Sequence, residues 1–280
     1  MNLKTHRAAA LVALSATLLA GCESGNDENN HPGAGGRKIT EIVGVFNHPN
    51  YSTGISQQYQ ERQLFTYDNE GRLDRWVCTA SNGSSSDLQC FYESDSHISV
   101  FGTRLYEDGE ESVVAEIDLN AAGKVTRITD LDDHDQTYYY SNGLLSHSVD
   151  ERGYTMSYTW TNGDLTAIRV DPSPYGSSKE YIETAGYGST PNIANLDLNH
   201  LLAYPTEYYA VMFGNGLVGD FLGAAGMFGR SAHYITTSSD QDFDIEWTFD
   251  AAGYPTELHV VYWWDSKIEM EIRYTIYYND

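Results

Sequence analysis

The chain reads Phe65-Thr66-Tyr67-Asp68-Asn69-Glu70-Gly71-Arg72-Leu73 at the point where its fold is easiest to predict. Phe65 and Tyr67 alternate with polar residues, as on a β-strand with one buried face. Asp68 can accept hydrogen bonds from its own backbone, and Gly71 can adopt a left-handed conformation, so the residues between them predict a tight turn. Leu73 then begins a second strand. This stretch therefore predicts a β-hairpin.

The same arrangement recurs along the chain, with two apolar residues spaced by two, a turn ending in Gly, and an apolar residue two positions later. Asn142-Gly143 and Asn162-Gly163 are two-residue loops that require positive φ at both positions. Asn120–Gly123 and Asp250–Gly253 are longer turns that begin with Asx, like the turn at Asp68. Three successive copies lie 20 residues apart, so neighbouring hairpins are predicted to pair edge to edge in an antiparallel meander.

The recurring Tyr-x-Tyr-Asp-x-x-Gly-Arg-Leu pattern resembles the hairpin of the YD/Rhs repeat, although this chain has too few copies for the large shells that such repeats build. Taken with the interruption at Asn195–Leu202 and the later segment Phe221–Ser231, the repeats are similar to a family of Gram-negative lipoproteins of unknown function with a porin-like fold. The resemblance covers residues 39–280. It implies a curved antiparallel sheet or barrel and no established activity.

The predicted fold class is therefore mainly all-β: a single curved antiparallel sheet, or partly open barrel, of hairpin repeats in one domain over residues 39–280. An insertion interrupts the repeats at about residues 190–230. Asn195 can cap a short helix with Leu198, Leu201 and Leu202 on one side, and the segment from 217 to 228 is apolar and rich in Gly. We expect the insertion to pack on the concave face of the sheet. The alternative is a hydrophobic lid over a ligand cavity.

The first 22 residues are typical of a bacterial lipoprotein signal. Lys4 and Arg7 precede the apolar run Ala8–Leu19, and Leu19-Ala20-Gly21 stands directly before Cys22. This resemblance implies that residues 1–21 are removed and that Cys22 carries lipid. The apolar run is too short to cross a bilayer as a helix. Residues 22–38 have little to bury and are predicted to be a flexible tether. An ordinary secretory signal followed by a stray cysteine is the alternative.

The charge of the chain argues against nucleic-acid partners. Loss of residues 1–21 would remove two of the 16 basic residues and none of the 40 acidic ones, so the net charge would change from −24 to −26. Binding to nucleic acid needs clusters of Lys and Arg that replace phosphate counterions, and none occurs after Cys22. The acidity favours solubility and, less directly, the collection of divalent cations.

Two further cysteines, Cys78 and Cys90, each lie three residues outside the polar loop Ser81–Asp87. A hairpin centred on Ser84 would place them opposite each other, within reach of a disulfide that could persist outside the cytoplasm. Two reduced, partly buried thiols are the alternative, because the symmetry of the sequence does not fix the register of the strands.

Few residues point to catalysis or metal binding. The segment Asp130–Asp135 is dense in carboxylates, but it lacks the central Gly and distal Glu of a calcium-binding loop, which favours an exposed acidic turn. The histidines do not have the i, i+4 spacing of a helical zinc site and are expected to be structural or exposed: His147, His200, His233 and His259. No nucleophile elbow or glycine-rich phosphate loop is present. We therefore expect no catalytic residue, no metal and no cofactor.

Aromatic and apolar side chains are the remaining candidates for ligand binding. The runs Tyr138–Tyr140 and Tyr262–Trp264 place rings on both faces of their strands, where they could stack on sugars or contact a partner protein. Cross-strand aromatic pairs that stabilise the sheet are the alternative. The candidate ligand-binding residues are Tyr138, Tyr140, Trp263 and Trp264 in strands, and Leu198, Leu202, Phe221 and Phe228 in the insertion.

These features together predict a non-catalytic binding or structural module of the cell envelope. A membrane-spanning barrel is disfavoured, because Gln58, Gln60 and Arg62 share one face of a predicted strand that would have to meet lipid. The expected partners are the membrane, through the lipid, and a glycan, an apolar ligand or an envelope protein. Glu23 is not the Asp that retains lipoproteins at the inner membrane, so the outer membrane is expected, on its periplasmic or its surface face. A lipid carrier and a carbohydrate-active hydrolase are the alternative functions.

Overall fold

The computed structural model describes residues 36–49, 56–106, 109–130, 135–171, 181–202, 216–238, 243–265 and 267–279. Sixteen antiparallel strands form one sheet within these ranges. In chain order they are β1 (Ile39–His48), β2 (Gln57–Tyr67), β3 (Leu73–Ala80), β4 (Ser85–Ser94), β5 (His97–Tyr106), β6 (Gly109–Leu119), β7 (Val125–Asp130), β8 (Gln136–Ser141), β9 (Leu144–Asp150), β10 (Thr155–Thr161), β11 (Asp164–Val170), β12 (Tyr181–Pro191), β13 (His233–Ser238), β14 (Phe243–Phe249), β15 (Pro255–Trp264) and β16 (Lys267–Tyr278).

Strands that follow each other in the sequence pair with each other, except β13 and β14, and β1 also pairs with β16. The hydrogen-bonded order therefore starts at β13 and ends at β14, two strands that are adjacent in the chain. Because these two end strands also contact each other, the sheet curls into a nearly closed barrel. This confirms the predicted fold class.

A segment with no strand in its described residues separates β12 from β13. Its described residues, 192–202 and 216–232, include a 3₁₀ helix, Leu198–Leu202, and one α-helix, α1 (Gly216–Ala224). We call these residues the plug. Among the described residues, neither helix is long and apolar enough to cross a bilayer.

The predicted hairpin turns have the backbone conformations that their residues require. Asn142 and Asn162 have φ of 52° and 55°, and the glycine after each also has positive φ. In the longer turn at Asp68, one carboxylate oxygen accepts hydrogen bonds from the backbone N–H groups of Glu70 and Arg72, at 2.9 Å each. The turns that begin at Asn120 and Asp250 repeat this pair of bonds.

All five predicted Gly turns lie at one end of the barrel, because every second turn of an antiparallel meander is at the same end. The connection through the plug, the start of β1 and the end of β16 lie there too. We call this the plug end and the opposite one the far end. Several loops at the far end lie outside the described residues.

Aromatic side chains join neighbouring hairpins at the plug end. A register shift lies beside each of the five predicted Gly turns, as between Thr66 and Tyr67. At this end an aromatic side chain also donates a hydrogen bond to a carbonyl near the start of the preceding strand. The repeated aromatic and apolar positions in the sequence therefore serve this contact. The bonds are Tyr67 to Ile39, Tyr92 to Leu73, Tyr140 to Val125, Trp160 to Leu145, Tyr187 to Leu165 and Tyr278 to Pro255.

Side chains close the seam between β13 and β14, where no backbone ladder forms in the described residues. The Asn199 amide of the plug accepts from the Ile235 N–H at 2.8 Å and donates to the His233 carbonyl at 2.9 Å. The Trp247 indole donates to the Ile235 carbonyl at 2.8 Å, and Tyr234 packs against the Trp247 ring at 4.9 Å. Asn199 thus satisfies the edge of β13 as a neighbouring strand would.

Candidate ligand-binding site in the barrel interior

The plug fills the barrel at the plug end. The Phe228 ring lies 4.7 Å from that of Tyr138, and the Phe221 ring 6.4 Å from that of Trp76. Leu198 and Leu202 are 1% and 0% exposed and belong to the same core. The concavity beside the insertion is therefore filled by protein. The described contacts of these predicted site residues are with other side chains, and their role in ligand binding stays a prediction.

The remaining aromatic candidates are dispersed. Tyr140 is half-buried and uses its hydroxyl for the bond to Val125 described above. Trp263, on the outer face of β15, donates from its indole nitrogen to an Asp244 carboxylate oxygen at 2.7 Å. Trp264 pairs with Lys267 in the sheet, and its side chain lies outside the described residues. The structure therefore places Trp263 outside the barrel, away from the plug, whereas Tyr140 packs against the core to which the plug belongs.

Polar bonds connect the plug to the turns of the barrel. The Asn195 amide oxygen accepts from Ile39 N–H at 2.8 Å, and Val125 N–H donates to the Met227 carbonyl at 3.1 Å. Ala232 N–H donates to the Gly163 carbonyl at 3.0 Å. The plug is thus bonded to hairpins on several sides of the barrel.

The plug also contains buried charged groups. The Asp197 carboxyl is 2% exposed and accepts a hydrogen bond from the Asn192 side-chain N–H at 3.2 Å. The Arg230 guanidinium donates to the side-chain amide oxygen of Asn192 at 2.9 Å. Burial raises the pKa of Asp197 despite the attraction of Arg230. The His200 imidazole lies 3.9 Å from Asp220, and burial lowers the pKa of His200 and raises that of Asp220.

The predicted disulfide is wrong. Cys78 pairs with Ser86 and Arg75 with Gln89, so Cys90 is displaced by four residues along the hairpin. That offset is about 13 Å, given the rise of a strand. Disulfides span at most about 7 Å between Cα atoms, and both thiols are free. The turn is centred on Asn82, two residues before Ser84, and this shift of register separates the cysteines.

A group of polar side chains lies on the inner wall between the plug and the far end. Glu61 and Gln63 alternate with Phe65 on the inner face of β2, and the Gln63 amide donates to Glu61 at 2.6 Å. The Cys78 thiol bonds to Glu61 from β3, and burial raises the pKa of the Glu61 carboxyl. Arg104 of β5 attracts both Cys78 and Asp220 electrostatically, so it faces the same interior. We call Glu61, Gln63, Cys78 and Arg104 the polar wall.

An aromatic wall continues from the polar wall toward the far end. The Tyr59 ring stacks on Phe46, with centroids 4.4 Å apart and planes 8° apart, and on the His48 ring at 6.0 Å. Across β16, Phe243 and Tyr262 stack at 4.7 Å. Tyr59, His48 and Tyr262 are only partly buried. We call these five residues the aromatic wall, and it shares strand β2 with the polar wall.

The outer face of the barrel carries ion pairs between neighbouring strands. Arg62 contacts Glu41 at 2.6 Å, and Arg75 contacts Asp87. His97 lies 2.9 Å from Glu116 and 3.1 Å from Asp118, and these hydrogen-bonded carboxylates raise the pKa of His97, the bond to Asp118 most. Such ion pairs are typical of a surface that faces water, whereas a surface that faces lipid is apolar.

The other histidines make pairwise contacts. His147 stacks on Tyr139 at 4.3 Å, His233 lies 2.9 Å from Asp164, and His259 lies 2.9 Å from Glu271. Within the ranges that the structure describes, no group of three or more His, Cys, Asp or Glu side chains could hold a metal ion. Most of the acidic cluster at 130–135 lies outside those ranges.

Sequence reasoning missed the polar wall. Its signal was present in Tyr59, Glu61 and Gln63, which alternate with outward residues, but polar residues on both faces of β2 indicate solvent as readily as an interior site. Arg104 gave no signal, because its place beside Glu61 and Cys78 depends on the pairing of β2, β3, β4 and β5.

No protein family matches the sequence, and no curated protein matches it. A solved structure does: the crystal structure of a porin-like protein from Bacteroides uniformis ATCC 8492. The TM-score is 0.59, the sequences are 15% identical, and the match covers 86% of this chain and 98% of that one.

The fold is similar to that of a porin-like protein. At this level of identity the likeness concerns the course of the strands alone. It supports the porin-like fold implied by the sequence resemblance, and the lipoprotein and YD-repeat parts of that resemblance stay predictions.

Proposed function

We propose that this protein is a lipid-anchored, non-catalytic binding module of the cell envelope that binds its ligand in the barrel interior, from the far end. The observation that carries the proposal is the separation of the two ends. The chain enters β1 and leaves β16 at the plug end, which the plug fills, whereas the polar and aromatic walls lie toward the far end.

The anchor would limit the distance between the barrel and the membrane. Arg37, directly before β1, pairs with Asp250 at 2.5 Å and lies over the Tyr278 ring at 4.7 Å, so the chain leaves the plug end at a fixed point. Fourteen residues between Cys22 and Arg37 span at most about 50 Å when fully extended. A lipid on Cys22 would therefore keep the plug end within about that distance of the membrane. The outward ion pairs support a barrel wall that meets water.

Two experiments test this proposal. Growth with radiolabelled palmitate should label the wild-type protein and not the Cys22→Ser variant, and equal labelling of both would contradict the anchor. Pull-down of envelope extracts and a glycan array, both with the mature protein, should retain a defined component. Retention of nothing in either screen would contradict the binding role.

A carrier of an apolar ligand is the second candidate, because the aromatic wall continues into Met270 and Ile272 of β16, which are 7% and 0% exposed. Native mass spectrometry after gentle purification should then show a bound lipid. A carbohydrate-active hydrolase is the third, and it requires two interior carboxyl groups at roughly 5 to 9.5 Å. Release of reducing ends from envelope polysaccharides would identify it.

A further inference from the structure

We propose that the interior site binds a neutral saccharide, with a sugar ring stacked on Tyr59 and hydroxyl groups bonded to Glu61 and Gln63. This inference rests on the proposed binding function and names its ligand class.

The spacing of side chains on β2 fits a sugar. Tyr59, Glu61 and Gln63 follow each other on the inner face, and alternate residues of a strand are about 6.5 to 7 Å apart. That distance is close to the width of a pyranose ring with its hydroxyl groups. An aromatic plane therefore stands directly beside two hydrogen-bonding groups, which is the combination that an amphipathic ring recognises.

The aromatic plane is preorganised. Phe46 stacks on Tyr59 from within β1, and the Tyr274 ring meets Phe46 edge-on at 5.7 Å with planes 87° apart. Phe46 and Tyr274 are 2% and 3% exposed, so they are fixed by the core. Tyr59 thus keeps one orientation without a ligand, which lowers the entropic cost of stacking.

The polar groups have bonding capacity that the fold does not use fully. Glu61 contacts the Gln63 amide and the Cys78 thiol, both uncharged, in a place where an apolar residue would cost less. The Trp76 indole N–H, two residues from Cys78 on the same face, is buried without a partner in the described part of the chain. The Glu61 carboxyl oxygens accept hydrogen bonds, and the Gln63 amide and the Trp76 N–H can donate them, so this face offers both kinds of partner to sugar hydroxyls.

The charge of the whole chain disfavours anionic sugars. The net charge is −24, and the interior carries the carboxyl groups of Glu61 and Asp220 beside the guanidinium of Arg104. A uronic acid or sulfated sugar would enter against that field, whereas a neutral sugar would not.

The test is titration of the full-length mature lipoprotein in a detergent without a sugar headgroup. Maltotriose, cellotriose, mannotriose and N-acetylchitotriose serve as probes, and binding is followed by intrinsic fluorescence and by calorimetry. We expect at least one probe to bind, and Tyr59→Ala and Glu61→Leu each to weaken it about tenfold or more. Tyr59→Phe, which keeps the ring, should bind within about threefold of wild type.

The matched control is Gln60→Ala, whose side chain is exposed on the other face of β2. It should leave binding unchanged, and thermal unfolding of every variant identifies any that fail to fold. If Tyr59→Ala and Glu61→Leu bind a probe as tightly as wild type and Tyr59→Phe do, the proposed site is overturned. If no probe binds while extract pull-down retains another component, the saccharide inference fails and the binding function stands. If no probe binds and the extract pull-down retains nothing, both the saccharide inference and the binding function are contradicted.

Discussion

The replacement Asn199→Ala tests whether one plug side chain closes the barrel. Asn199 is 0% exposed and bonds both the N–H of Ile235 and the carbonyl of His233 at the unpaired edge of β13. Alanine leaves both backbone groups buried without these partners, and each such loss costs about 1 to 3 kcal/mol. We therefore expect the free energy of unfolding to fall by about 4 kcal/mol.

The measurement is urea unfolding followed by circular dichroism and by tryptophan fluorescence. Trp247, one of five Trp residues, lies at the same seam, so part of the fluorescence should change at lower urea than the circular dichroism signal if the seam opens first. The control is Asn82→Ala, which removes an exposed turn bond to Ser84 and should cost less than about 1 kcal/mol. A loss below about 1 kcal/mol for Asn199→Ala would refute the closure by the plug.

Four further predictions concern the barrel wall. Tyr140→Phe removes the bond to the Val125 carbonyl and should destabilise by about 1 kcal/mol in urea unfolding, whereas Tyr139→Phe, at an exposed ring, should be neutral. A backbone hydrogen bond from Tyr254 and the Arg37 guanidinium lower the pKa of Asp250. The ionised Asp250 therefore stabilises the fold at neutral pH, and this stabilisation is lost as the pH falls through the folded-state pKa. Asp250→Asn should keep the turn, as Asn120 does, and should flatten the acidic part of a plot of melting temperature against pH. Burial raises the pKa of Glu61, so the fold is less stable once the pH has risen through that pKa and the carboxyl is ionised. Glu61→Gln removes this ionisable group and should raise the melting temperature at pH 8 and not at pH 4. Alkylation of the denatured protein without reductant should modify both Cys78 and Cys90, and a disulfide-linked peptide in a digest would contradict the register.

The hairpins could be predicted from the sequence because their causes are local. Asp68 and Gly71 carry the turn geometry in their own side chain and backbone, and Asn142 with Gly143 needs no distant residue to reach positive φ. The alternation of Phe65 and Tyr67 likewise fixes which side of the strand is buried. Repetition of this unit then made an antiparallel meander predictable.

The register of a less constrained hairpin was not predictable. The loop from Ser81 to Asp87 offers several polar residues that could form the turn, and a shift of two residues at its centre decided that Cys78 meets Ser86 and not Cys90. Sequence symmetry cannot distinguish these registers, because the energy that separates them comes from packing against β2 and β5.

The sequence by itself determined the repeated hairpins, the acidic charge and the presence of an apolar insertion, since propensity, turn chemistry and net charge are properties of residues near each other or of the sum over the chain. Only the tertiary structure decided that the five predicted Gly turns share one end with the plug, that Asn199 completes the edge of β13, and that Tyr59, Glu61 and Arg104 face one interior. These relations join residues separated by tens of positions, and closure of the sheet is what brings them within bonding distance.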